Sequence, residues 1–318
     1  MKDGFGREIN YLRASVTDLC NLRCRYCMPA EGVVKKGHGD MMTEDEIIRA
    51  IEAASGLGVR KVRITGGEPM VKRNILSICR RAAAVPGIEE VCLTTNGTLL
   101  SSFALPLREA GVRRINVSLD TLDPERYAHM TRGGRLEDAL KGIDAALAAG
   151  FDGVKLNAVL IRGFNDDELG DLAGLTQDYP LDLRFIELMP MSEAAGFDGD
   201  AYMTSEEAIT LLPGLMPLTL LAEEGVARMY RFPGARGRVG FISPMSCAFC
   251  ARCSRIRLTA DGHIKPCLHS GAEFPLRGMS RDEMREAIAQ AIRAKPMGHD
   301  LAASRYSSAG RSMNRIGG

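Results

Sequence analysis

Short runs of β-branched and apolar residues recur through the first two-thirds of the chain, separated by stretches with helical periodicity. The runs are "RASVTD" (13–18), "KVRITGG" (61–67), "EVCLTTNG" (90–97), "RINVSLD" (114–120), "GVKLNAVLI" (153–161) and "DLRFIEL" (182–188). Between them lie amphipathic patterns such as "TEDEIIRAIEAASGLG" (43–58) and "LEDALKGIDAALAAG" (136–150). Thr43 with Glu46 reads as a capping box, and glycines close both helices, the second at Gly150. Six strands alternating with helices predict parallel βαβ units with right-handed crossovers. Six is fewer than the eight of a closed barrel. The expected class is therefore α/β, an incomplete (β/α)6 TIM-like barrel, with an open doubly wound sheet as the second reading. In either fold a ligand sits at the carboxyl ends of the strands. Polar residues collect there: Thr17 and Asp18, Gly66 and Gly67, Thr94 to Asn96, Ser118, Asp120 and Glu187.

The repeat breaks after Met189. "PMSEAAGFDGDAYM" reads as loop and "TSEEAITLL" as a short helix. From about residue 225 short strands and turns follow, then a helix over 280–294 and a polar end, "RSMNRIGG". We expect two regions: a partial barrel over 1–224 and a smaller α+β region over 225–318 covering the barrel mouth.

Bulk charge changes little in this picture. A net charge of +1 gives no general attraction to nucleic acid or to a membrane surface. "MKDGFGREIN" lacks the apolar core of a signal peptide, and no run approaches a membrane span, so the cytoplasm is the expected compartment. In that reducing setting nine cysteines suggest metal ligands and core thiols before disulfides.

Three of the cysteines, Cys20, Cys24 and Cys27, follow the first strand in the pattern C-x3-C-x2-C. Three thiolates at that spacing suit three irons of a four-iron cluster whose fourth iron stays open. A zinc knuckle with a missing partner is the competing reading. Cys250, Cys253 and Cys267 form a second triad, which also resembles half a zinc ribbon with Cys247 as a fourth donor. Cys79 and Cys92 fall in helix and strand patterns and read as core thiols.

The first triad, with Tyr26 before its last cysteine and "GGEP" (66–69) after the next strand, resembles the signature of the radical S-adenosylmethionine (SAM) enzymes. The resemblance implies SAM chelating the open iron, reductive cleavage to a 5′-deoxyadenosyl radical, and contacts from Tyr26, Gly66, Gly67, Glu68, Ser118 and Met189. Physically, the glycines admit close backbone approach and the acidic side chain answers an ammonium. "GREINYLRASVTDLCNLRCRYC", "KVRITGGEP", "TTNG", "RINVSLDTLD", "LRFIELMP", the second triad and the terminal "IGG" also occur in order. Together they resemble the GTP 3′,8-cyclase family, which begins molybdenum cofactor biosynthesis. That resemblance implies a second four-iron cluster on Cys250, Cys253 and Cys267 that meets the guanine of GTP. Hydrogen would be taken from C3′, and C3′ would bond to C8. It further implies a downstream pterin-forming enzyme (cyclic pyranopterin monophosphate synthase) and a reductase or flavodoxin-type electron donor, and it leaves room for a homodimer.

GTP carries several negative charges, so a nearly neutral protein must gather cations locally. Candidates at strand ends or beside the second triad are Arg13, Lys61, Arg63, Lys155, Arg184, Arg255 and Arg257, and the resemblance adds Thr94. By default Gly317 and Gly318 are a frayed terminus; the resemblance implies instead a tail that reaches the active site. No histidine stands out as acid or base, and His263 and His269 read as ordinary. Two other readings stay open: a radical SAM enzyme with an auxiliary cluster acting on a peptide, and a structural zinc-binding protein.

Overall fold

A computed structural model describes residues 1–33, 37–191, 197, 199–217, 225–247, 249–299, 301 and 307–317. The repeating part runs β1 (Tyr11–Ser15), α1 (Glu44–Ser55), β2 (Lys61–Thr65), α2 (Ile75–Ala83), β3 (Glu90–Thr95) and α3 (Leu100–Glu109). It continues as β4 (Val112–Ser118), α4 (Pro124–Thr131), α5 (Leu136–Ala148), β5 (Gly153–Leu160), α6 (Leu169–Asp178) and β6 (Leu181–Glu187). All six predicted strands form, in order and mutually parallel. The capping box of Thr43 and Glu46 opens α1.

Alternation along the strands separates two faces. On β5, Val154, Leu156, Ala158 and Leu160 are buried in the main core, while Lys155 and Asn157 take the alternate positions. On β1 and β2, Leu12, Ala14, Val62 and Ile64 join Ile47, Ile51, Ile75 and Ile78 of α1 and α2 in that core. Each such valine, leucine or isoleucine contributes about 1.5–3 kcal/mol when fully buried. The helices thus cover one face, and Arg13, Arg63, Lys155 and Arg184 are left for the other.

The later segment adds α7 (Ser205–Thr210), β7 (Met216–Pro217), β8 (Arg228–Arg231), β9 (Arg238–Ile242), β10 (Arg255–Leu258), β11 (His263–Lys265), β12 (Phe274–Pro275), α8 (Arg281–Arg293) and α9 (Met313–Ile316). Its strands extend the wall at both edges. β10 pairs parallel with β1 and β9 pairs parallel with β6, while the hairpin partners β11–β12 and β8–β7 lie outside them. The sheet order is β12-β11-β10-β1-β2-β3-β4-β5-β6-β9-β8-β7, and its ends do not meet. The later region was expected over the barrel mouth; it also builds the two edges of the wall. The expected division at 224 and 225 adjoins residues outside the described ones, and the sheet runs across it. The described residues between β9 and β10 carry Cys247, Cys250 and Cys253. Among the described residues no helix is long and apolar enough to cross a membrane.

Candidate active site

The first cysteine loop leaves β1 and is fastened to the end of α4. Arg23 N–H donates to Thr131 O at 3.1 Å and Arg25 N–H to Met130 O at 2.9 Å. Arg132, in the left-handed region at φ 57°, returns its guanidinium to Arg23 O at 2.8 Å and Met28 O at 2.9 Å. Cys20, Cys24 and Cys27 are free, partly buried thiols. Burial, then the charges of Cys27, Asp120 and Cys20, push the Cys24 pKa well up; burial and Cys20 push Cys27 up to about 12. The three thiols therefore face one space, and each needs a cation to stand as thiolate. Among the described residues no three donors converge as tightly as a single ion requires. An iron–sulfur cube binds its ligands at separate corners, and three free thiols around one space fit it.

The "GGEP" turn packs on this loop. Gly67 N–H donates to Thr17 O and Glu68 N–H to Leu19 O, both at 2.8 Å. A Cβ at Gly66 would lie 2.5 Å from Thr17 O, and one at Gly67 2.4 Å from Leu19 O. The close approach that needs these glycines is thus between two segments of the chain itself. Glu68 was expected to meet an ammonium, but its carboxylate is fully buried and turned into the wall. It accepts from Met70 N–H (3.1 Å), Thr95 Oγ1 (2.9 Å) and Asn96 N–H (2.8 Å), and burial pushes its pKa up to about 7. Glu68 ties the turn to the end of β3.

Tyr26 donates to Asp120 Oδ2 at 2.8 Å, whose other oxygen takes Val159 N–H at 2.9 Å. Tyr26, Asp120, Cys24, Asn96 and Ser118 line one recess. Met189 does not line this recess; it packs against the cluster of Met191, Ala309 and Ile316, joining the end of β6 to the tail.

The cationic set converges, but inside the strands, not at their ends. Arg257, Arg13 and Arg63 occupy paired positions on β10, β1 and β2. Burial lowers Arg13 to about 10, with Tyr11 opposing and Arg63 and Arg255 assisting, and burial with Arg13 and Arg255 takes Arg257 well below its usual range. Arg63 donates to Leu93 O at 3.2 Å and to Thr94 Oγ1 at 3.5 Å. Across the interior, burial and then Arg184 pull Lys155 down to about 7, with Asp182 3.7 Å away. Asp182 is itself held by Arg238, with two contacts at 2.9 Å. Lys61 departs from the set: it pairs with Glu90 at the amino ends of β2 and β3, away from the mouth. Thr65 Oγ1, Asn116 Oδ1, Asn157 Oδ1 and Arg184 Nε are buried with no partner in the protein. Orphaned polar atoms among several cations that have Tyr11 and Asp182 beside them mark a place shaped for an anionic, hydrogen-bonding ligand. Asn116 and Asn157 were missed by sequence reasoning; their signal was a polar residue at an inward position of an otherwise apolar strand.

The second triad lies beside these cations. Cys250, Cys253 and Cys267 are free and partly buried. Burial works against a Cys253 thiolate, yet Arg255 and Lys295 bring its pKa down to about 7. Lys295 is buried and donates to Arg255 O and Pro266 O, each at 2.8 Å. Arg7, from the start of the chain, donates to Cys250 O at 2.7 Å and to Pro296 O at 2.6 Å while Asp3 holds its Nε. Neither residue was anticipated, because each acts on carbonyls far away in sequence. Arg255 stacks on Phe249 at 4.9 Å. Cys247 is exposed and acts on Arg228 of β8, at the opposite edge of the sheet. His269 is kept neutral by burial, then by His299 and Arg257.

The tail enters this interior. Gly317 follows α9 in the left-handed region, and its carbonyl accepts from Arg257 at 2.7 Å and from Arg13 Nε at 3.3 Å. A Cβ there would lie 2.3 Å from Thr65 Oγ1, so only glycine fits. Gly318 lies outside the described residues.

Comparison with known proteins agrees with this geometry. The profile described as "Radical SAM superfamily" matches residues 14–176, and that described as "Molybdenum Cofactor Synthesis C" matches 181–301. The chain is 47% identical over 321 residues to the GTP 3′,8-cyclase of Alkaliphilus metalliredigens, covering all of both chains. It is 48% identical over 326 residues to that of Moorella thermoacetica, again over both full lengths. Among solved structures, Streptococcus suis SuiB bound to its precursor peptide SuiA superposes with a TM-score of 0.63 at 14% identity. That match covers 93% of this chain and 67% of that one, and it shows the shared fold alone.

Proposed function

The chain belongs to the GTP 3′,8-cyclase family of the radical SAM superfamily, and from that premise we propose that its cationic interior binds GTP between two four-iron clusters. Cys20, Cys24 and Cys27 would hold the first cluster, and Cys250, Cys253 and Cys267 the second. When bound, the first cluster supplies the electron that cleaves SAM to methionine and a 5′-deoxyadenosyl radical. In the reaction the C3′ hydrogen of GTP is removed and C3′ bonds to C8, giving 3′,8-cyclo-7,8-dihydro-GTP.

The chain's own part is to bind and orient. Arg13, Arg63, Thr94, Lys155, Arg184, Arg255 and Arg257 receive the nucleotide, and Asn116 and Asn157 offer it their free oxygens. Lys61 stays with Glu90, apart from this set. Ser118 and Tyr26 line the SAM recess, Gly66 and Gly67 shape its floor, and Glu68 holds that floor in place. Binding energy from phosphates remote from C3′ fixes the short approach to C8. Gly317 closes the interior from the tail side, next to the same arginines. We further propose that the radical-forming part spans 1–224 and the second-cluster part 225–318. A flavodoxin-type donor, a pterin-forming enzyme that takes the product, and a homodimer complete this reading.

The observation that carries it is the convergence of Arg13, Arg63, Lys155, Arg184 and Arg257 with orphaned polar atoms, beside the free thiols of the second triad. A peptide substrate or a structural zinc site leaves those cations without a use. The test is an anaerobic assay of reconstituted, reduced protein with SAM and GTP. Formation of both 5′-deoxyadenosine and a cyclised GTP product supports the reading. 5′-Deoxyadenosine with GTP unchanged refutes the substrate and keeps the first cluster.

A further inference from the structure

Two fixed points hold the tail before it reaches the arginines. The first is Arg311, whose guanidinium bridges Asp261 at 2.8 Å and the two oxygens of Glu273 at 2.6 and 2.5 Å. Glu273 also takes Lys265 Nζ at 2.7 Å, and that fully buried lysine reaches Ser270 O at 2.8 Å and Ala309 O at 3.5 Å. The second is Asn314, buried, which donates its side-chain amide to Asp18 O at 3.0 Å and directs its backbone N–H to Cys27 Sγ. Asp18 and Cys27 belong to the first cysteine loop. One turn later Gly317 meets Arg13 and Arg257.

Charge balance shows which point governs. Asp261 and Glu273 are little exposed; Arg311 pairs with both and Lys265 with Glu273, while Thr259 Oγ1 and His263 Nδ1 also lie on Asp261. Without the Arg311 charge, Glu273 keeps Lys265 but both carboxylates lose their shared guanidinium in a half-dry setting, and breaking such a pair is far costlier than never having built it. The cheap escape is for the segment after Ala309 to lift and admit water. The Asn314 contacts have no charge with which to resist that.

We propose that Arg311 is the positioning residue of the C-terminal tail, setting Asn314 against the first cysteine loop and Gly317 against Arg13 and Arg257. This rests on the reading of the interior as the GTP site. Its role is to keep the substrate side of the interior closed while hydrogen is taken from C3′.

The test compares wild type, Arg311→Gln and Arg311→Lys as holoenzymes with full iron content. Amide hydrogen exchange is followed over 312–317, with β10 and β11 as internal references. The second readout is the ratio of cyclised product to 5′-deoxyadenosine, and the third is the midpoint potential of the first cluster. For Arg311→Gln, exchange in the tail rises at least about tenfold while β10 and β11 hold. The product ratio falls severalfold. The potential drops, because an N–H bond to a cluster sulfur favours the reduced state. Arg311→Lys keeps the charge but loses the planar fork and falls between. Unchanged tail exchange, or a loosened tail with an unchanged product ratio, overturns the proposal. If Arg311→Gln fails to fold, Arg311→Lys decides alone: partial loosening supports the role and wild-type protection overturns it. Should wild type consume no GTP, the substrate reading fails; the exchange data still report on the anchor.

Discussion

Arg13 and Arg257, at paired positions of two adjacent parallel strands, both donate to the single carbonyl of Gly317. Two buried guanidiniums share an acceptor that carries no charge. Burial lowers both pKa values, and the Arg13 charge then lowers Arg257 further, while Arg63 and Arg255 act on Arg13. A folded chain tolerates such an arrangement only at a cost, which a bound polyphosphate would offset under the proposed function.

Replacing either arginine is therefore expected to separate stability from activity. Arg257→Met removes a buried like charge, so the melting temperature of the GTP-free protein rises by roughly 2–4 °C. kcat/KM for GTP falls by at least about a hundredfold, the loss typical of a desolvated charge contact. Thermal unfolding with and without GTP checks both. A destabilised variant that keeps its activity would make the pair structural.

Lys155, with a pKa near 7, is largely neutral at pH 8 in the empty interior. Bound phosphates restore its proton, so GTP binding takes up protons at that pH, where the nucleotide itself is fully ionised. Affinity for GTP weakens as pH rises from about 7 to 9. The same depressed pKa acts on folding with a definite sign. The unfolded chain holds this proton up to the ordinary lysine range, so stability from this group increases as pH rises above about 7. Calorimetric titration in buffers of different ionisation enthalpy measures the uptake. Lys155→Met should abolish it; uptake that persists in the variant would assign it to another group.

The six-stranded repeat was legible because each strand and helix declares itself locally, through periodicity, Thr43–Glu46 and the closing glycines. The inward cations were legible by type but not by height. "KVRIT" shows which residues share a face, not that Lys61 meets Glu90 at the amino end while Arg63 lies beside Arg13. β9 and β10 are short, and nothing in "RVGFI" or "RIRL" says which edge of the sheet each will join. Arg7 and Lys295 were invisible for the same reason. Their partners are backbone carbonyls up to 290 residues away, and a carbonyl leaves no mark in a sequence. Glu68 was found by motif, but its direction, into the wall, is a product of packing against Thr95 and Asn96.

Glu68→Gln tests that direction. The carboxylate accepts from three donors through two oxygens, whereas an amide sets an NH2 against Met70 N–H or Asn96 N–H. Burying that mismatch destabilises by about 1–3 kcal/mol. The effect on pH dependence is opposite in sign to that of Lys155. A carboxyl raised to about 7 is most favourable to folding in its protonated form, so its contribution is lost as pH rises from the usual glutamate range to about 7. Denaturant melts of wild type between pH 5 and 8 should therefore slope downward in a way the variant does not. Equal slopes would show that Glu68 is charged throughout.

The four cysteines around residue 250 give the sharpest contrast. Cys253 and Cys267 both act on Lys295 and Arg257, and Cys250 is held near them by Arg7 through its carbonyl. Cys247 sits exposed beside Arg228, across the linker at the other edge. Sequence spacing alone admits any three of the four as ligands. Cys247→Ser is expected to keep about eight irons per chain and unchanged turnover, whereas Cys253→Ser retains only the first cluster's four. Iron and sulfide analysis of anaerobically reconstituted protein reads this directly. Loss of iron in Cys247→Ser would move the second cluster toward β8. That result would also detach it from Arg255 and Arg257, and with them from the place where the nucleotide is expected to lie.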